Sequence, residues 1–244
     1  MSSTRTTALV AGALFLLTEI AAIAGMALYQ PVLSDPAYVT GPGSDGRVLL
    51  GGLAELLLVA AVIGSAATLY PVIKRQNHGL ALGYVCARLL EAAIIAMGTI
   101  SVLTVVTLRQ GLADDAALGT VAKALLATHE WTFLFGPNFV LGANSLMLAY
   151  LVFRSGLVPR PIAVLGLVGG PLICVSATAV MFGLYEQLST LGGLAALPVF
   201  AWEVSFALYL VTKGFKQAAV APVATSARTA PANTTAQCTV QVLS

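Results

Sequence analysis

The chain has 244 residues, of which 58% are hydrophobic and 9% charged, and its formal net charge is +2. Soluble domains carry about 25% charged residues, so the composition excludes an ordinary water-soluble fold, and no clustered basic face marks a nucleic-acid surface. The class that remains is a multi-pass membrane protein.

A membrane-crossing helix takes about 20 mostly apolar residues at ~1.5 Å each. The first segment that qualifies runs from Thr7 to Tyr29. It could be mistaken for a secretory signal, but it is long, carries Glu19 near its centre and lacks a clear small-residue cleavage site, so we read it as a retained helix. Val48 to Ile73 follows with Glu55 inside it, and then Leu80 to Leu108 with Arg88 and Glu91. The segment from Leu112 to Glu130 opens with Asp114 and Asp115, as suits a helix amino end. It is expected to lie along the outer membrane surface until Gly136 and Pro137 turn the chain inward. Trp131 to Phe153, Pro161 to Leu184 and Gly192 to Thr212 complete six spans, the last holding Glu203. Within the fifth, Gly166 and Gly170 form a small-residue face suited to close helix packing, followed by Pro171.

The fold class predicted is therefore all-α: an integral bundle of six transmembrane helices over residues 1–216, followed by a disordered tail over 217–244 whose Ala, Thr, Pro and Ser show no helical period. Basic residues set the orientation. With the amino terminus inside, Arg5, Lys74, Arg75, Arg154, Arg160, Lys213, Lys216 and Arg228 are cytoplasmic, against Arg47, Arg109 and Lys123 outside. Both termini are thus expected in the cytoplasm of a cell whose plasma membrane holds the protein. Cys86 and Cys174 fall in spans and Cys238 in the tail, so no disulfide pair is expected outside.

Ionisable groups in hydrocarbon cost on the order of 2.5 kcal/mol or more, which makes the intramembrane ones the candidate site. Counting ~1.5 Å per residue from the cytoplasmic charges places Glu19, Glu91, Asn144 and Glu203 about 15 to 20 Å deep, near the middle of a ~30 Å core. Arg88 is one turn from Glu91, on the same face, and can pair with it. Glu55 and Asn138 fall in the outer leaflet and His129 near the outer interface. Together these eight residues outline a well that opens outward and ends near the midplane. With Arg88 balancing at most one carboxylate, the others must hold protons or a cation. The plainer reading is that they only join helices through hydrogen bonds, each worth about 0.6 kcal/mol.

Three stretches carry a family resemblance: Pro71 to Asn77 leading to Arg88-Leu89-Leu90-Glu91, then Phe153 to Arg160, then Glu203 with Lys213-Gly214-Phe215. Together they resemble the bacterial multi-pass membrane family catalogued as domain of unknown function 4386. The resemblance spans nearly the whole chain except its tail and implies six helices, with no reaction or ligand attached.

Other identities fail on residues. His129 and His78 lie on opposite sides of the membrane, so they cannot share a zinc or a haem. No deep lysine could hold retinal, and Gly-x-Ser-x-Gly elbows and phosphate loops are absent. A metal centre of carboxylates with His129 is a lesser alternative, and no cofactor or metal is assigned. The leading expectation is transport or binding of a small molecule or cation, proton-coupled through the central carboxylates. The alternatives are an intramembrane enzyme acting on a lipid-soluble substrate, or a structural partner of another membrane protein. Beyond the lipid bilayer and such a ligand, no partner or oligomeric state is read.

Overall fold

The computed structural model describes residues 3–34, 38, 44–111 and 115–216. The expected tail over 217–244, with Arg228 and Cys238, lies outside the described residues, as does Asp114. All the regular structure described is helical: α1 (Ser3–Ser34), α2 (Asp45–Ile73), α3 (His78–Gln110), α4 (Asp115–Leu134), α5 (Leu141–Ser155), α6 (Arg160–Met181) and α7 (Thr190–Thr212). Six helical stretches are long and apolar enough to cross a membrane, as the hydropathy of the sequence requires.

Local chemistry marks the helix ends. Asn77 accepts a bond from Leu80 N at 3.0 Å to cap α3, and Ser189 accepts one from Gly192 N at 3.3 Å to cap α7. Gly156 ends α5 at φ +66°, a left-handed conformation that favours glycine. The helices pack as a ring, with α1 on α2, α2 on α3, α3 on α4 and α5, α5 on α6, α6 on α7, and α7 back on α1. Gly166 and Gly170 serve that ring from within. A side chain at Gly170 would run into the carbonyl of Gly142, and one at Gly166 into Ala149 and Trp202, so both glycines are spent on internal packing against α5 and α7. They offer no face to another membrane protein.

The expected surface segment before Gly136 takes a different course. α4 packs along α3, with Leu118 and Ala122 buried against Val102, Val105 and Val106 and beside Tyr29 and Val32 of α1. Leu118 and Ala122 are one turn apart, so their side of the helix faces protein instead of headgroups. Gly136 and Pro137 do not turn the chain either, because a wide π-helical turn, Phe135–Val140, carries α4 directly into α5. Pro137 has no N–H for the carbonyl of Phe133 four residues earlier, and the Asn138 side chain donates to that oxygen at 3.0 Å in its place. The continuous span Leu118–Ser155 has 38 residues, about 57 Å at ~1.5 Å per residue. That exceeds a ~30 Å hydrocarbon core, so α4 projects beyond it together with the ends of α1 and α3.

The two ends of the bundle are closed differently. At the end where α1 starts and α7 finishes, Arg5 donates to the carbonyls of Leu210, Val211 and Thr212, and Lys216 N reaches Leu157 O at 3.0 Å. Above that lies the main core, where Phe15, Leu69, Tyr84, Leu148, Trp202 and Phe206 pack solidly. At the opposite end Arg109 pairs with Asp45, which also accepts from Gln110 at 3.1 Å and from the Tyr38 hydroxyl at 3.0 Å. Burial raises the Tyr38 pKa above its ordinary value, so the hydroxyl keeps the proton it donates.

Candidate functional site: an acidic cavity above a buried ion cluster

Arg88 is almost completely buried and is the hub of the bundle's centre. Its Nη1 lies 3.0 Å from Glu91 Oε2, one turn along α3, and its Nη2 lies 3.5 Å from Glu203 Oε1 on α7. Its Nε donates to the Tyr84 hydroxyl at 3.4 Å, and the guanidinium sits 4.9 Å over the Phe15 ring. A planar fork with separate donors can hold two carboxylates at once, so Arg88 answers two acids where one was expected. Asn144 of α5 donates to the same Glu91 oxygen at 2.5 Å. The carboxyls of Glu19 and Glu203 also lie within hydrogen-bonding reach of each other. Two carboxyls in such contact need a proton between them or a cation beside them.

A cavity of ≈ 910 Å³ rises from this cluster toward the end of the bundle where α6 and α7 are joined, floored by Arg88, Glu91, Glu203 and Glu19. The main aromatic core lies beneath it and seals the other end. Glu55 of α2 and His129 of α4 line the upper part, and Glu130 and Glu186 stand near the mouth. Gly25 of α1 gives Glu55 its place, since any side chain there would collide with the Glu55 carboxyl. Gly98 of α3 does the same for Thr132 and His129, whose Nδ1 is 3.4 Å from the Gly98 carbonyl. Tyr29 meets the His129 ring edge-on at 5.8 Å, and its buried hydroxyl lies beside the Thr99 side chain. The walls thus combine acids, aromatic rings and aliphatic side chains, a set that attracts a cation bearing apolar groups.

The structure brings Glu19, Arg88, Glu91, Asn144 and Glu203 into one cluster and places Glu55 and His129 on the cavity wall above it. Asn138 stands apart, because it is absent from the cavity wall and its amide serves the backbone at Pro137. Sequence reasoning missed Tyr84 and Phe15. Tyr84 is one turn before Arg88 on the same face of α3 and Phe15 one turn before Glu19, so helical spacing alone marks both. Among the described residues, no group of three His, Cys, Asp or Glu side chains comes together to hold a metal.

The family model described as Domain of unknown function (DUF4386) matches residues 10–214. No curated protein and no solved structure matches the chain.

Proposed function

The chain belongs to that family, and we propose that it binds a cationic small molecule in the acidic cavity and passes it through the membrane in exchange for a proton held by Glu19 and Glu203. The observation that carries this reading is that the cavity ends on three carboxyl groups, Glu19, Glu91 and Glu203, served by the single guanidinium of Arg88. Arg88 balances one of the three carboxylates, and protons and an incoming cation compete to balance the other two. Binding that displaces the proton couples the two ions, and loss of the Arg88–Glu203 contact would free α7 to move against α3. On this reading the protein sits in the plasma membrane with both chain ends in the cytoplasm and the cavity open to the outside.

The test is uptake in proteoliposomes. With a pH dye inside, addition of an organic ammonium salt drives a proton signal that falls about tenfold or more in Glu203→Gln, a loss of at least ~1.4 kcal/mol in coupling. Equal signals from the two proteins across a panel of ammonium compounds would remove the proposed role of this glutamate.

A further inference from the structure

The cavity wall is also exposed along α1. Along α1, residues Ala8, Ala11, Phe15, Glu19, Ile23 and Met26 follow one another at spacings of three and four and so form a single stripe. The inner half of that stripe is sealed by α7: Ala8, Ala11 and Phe15 are all 0% exposed, Phe15 packs on Phe206 at 5.4 Å, and a side chain at Gly12 would strike the Ala207 carbonyl. Beyond Glu19 the same stripe is open, with Ile23 61% and Met26 39% exposed, yet both residues still line the cavity.

The facing stripe of α7 changes at the same level. Leu210 and Ala207 are 0% exposed and Glu203 is buried, whereas Phe200, the next in the series, is 43% exposed. No α7 residue beyond Glu203 reaches the cavity wall. The two helices are in contact below the glutamates and leave a window above them. At ~1.5 Å per residue, Ile23 and Met26 stand about 6 and 10 Å outward of Glu19. Half of a hydrocarbon core is about 15 Å, so the window opens on acyl chains, with the Glu19 carboxyl just inside its lower edge.

We infer that the α1–α7 window admits ligand from the outer leaflet, and that the ligand class is a lipophilic amine whose ammonium meets Glu19 while its hydrocarbon tail lies between Ile23, Met26 and Phe200. This rests on the cation-binding reading above and narrows it. Charge decides the head group, because the acids of the cavity repel a fatty acid or an anionic lipid and an ammonium complements them. The apolar rim decides the tail.

The test uses the full chain in phosphatidylcholine vesicles, with tryptophan quenching by a brominated dodecylamine as readout, since Trp131 is on the cavity wall. Saturable quenching is expected, and dodecylamine competes at concentrations about tenfold or more below those of dodecanol or ethylamine. Ile23→Phe narrows the window from a lipid-facing position without adding a tryptophan to the readout, and it raises the dodecylamine requirement about tenfold. If ethylamine competes as well as dodecylamine and Ile23→Phe has no effect, the cavity fills from water and the window is overturned, while cation binding stands. If dodecanol matches dodecylamine, or if neither amine competes, the cation reading falls and the ligand class falls with it.

Discussion

Arg88 on α3 reaches across the bundle to Glu203 on α7, its Nη2 lying 3.5 Å from Oε1, while Nη1 holds Glu91 on its own helix. The guanidinium therefore ties together two helices that are not neighbours in the packing ring, and it does so at the floor of the cavity. Removing it strands buried carboxylates without a counter-charge. Breaking a buried pair from one side costs about 3–5 kcal/mol, so Arg88→Gln should lower the thermal unfolding temperature of the purified protein sharply. Adding Glu91→Gln to that variant should recover part of the loss, because one stranded charge is gone. A melting temperature unchanged in Arg88→Gln would mean that the cluster is not held as described.

Asn138 is expected to matter for folding alone. Its amide replaces the N–H that Pro137 lacks, so Asn138→Leu leaves the Phe133 carbonyl without its bond in the middle of a span. A buried unsatisfied group costs about 1–3 kcal/mol, and the unfolding temperature should drop accordingly. Ammonium binding per folded molecule should stay the same, and a selective loss of binding at full stability would restore Asn138 to the site.

Much of this arrangement is legible in the chain before any coordinates. Apolar length finds the six spans, because a hydrocarbon slab imposes one length and one composition on every helix that crosses it. A ruler of ~1.5 Å per residue brings Glu19, Glu91, Asn144 and Glu203 to one depth, since regular helices convert residue number into height. Lateral position is harder to read. The course of α4 is hidden because Gly136-Pro137 is a turn signal in water, and it takes an asparagine amide and a widened helical turn to overrule it. Arg88's second partner is hidden for a related reason, since Glu203 is 115 residues away and only the closing of the ring brings α7 opposite α3.

Glycines supply a separate check on the packing. A Cβ at Gly169 of α6 would fall 2.6 Å from Val199 N and 2.8 Å from the Pro198 carbonyl carbon, which are backbone atoms of α7 and cannot rotate away. Gly169→Ala should force α6 and α7 apart at a cost of about 1–3 kcal/mol, read as a lower unfolding temperature. Gly193→Ala is the control, because nothing lies within 4 Å of a Cβ there. Equal effects of the two substitutions would contradict the close approach of α6 to α7.

Gly25 bears on the site instead of the scaffold. Its missing side chain leaves the space that the Glu55 carboxyl occupies on the cavity wall, and a flexible glutamate can swing away from an intruding methyl group. Gly25→Ala should therefore leave stability within about 1 kcal/mol of the parent and weaken ammonium binding, as should Glu55→Gln. The two substitutions combined should be no worse than either alone, because they remove the same carboxylate from the same place. Additive losses in a binding titration would mean that Glu55 and Gly25 act separately.

Orientation can be decided from single-cysteine labelling. Arg75 and Lys213 follow the ends of α2 and α7, Arg154 lies in the last turn of α5, and the bonds from Arg5 to the end of α7 place the start of α1 at that same face. The positive-inside rule assigns that face to the cytoplasm. In intact cells, cysteine variants at Gln76 and Arg154 should therefore resist a membrane-impermeant maleimide until the cells are permeabilised, while one at Leu184, exposed in the loop between α6 and α7, reacts at once. The background requires Cys86, Cys174 and Cys238 to be replaced first. Labelling in the reverse pattern would turn the cavity mouth toward the cytoplasm, and the proposed uptake from outside would become release from within.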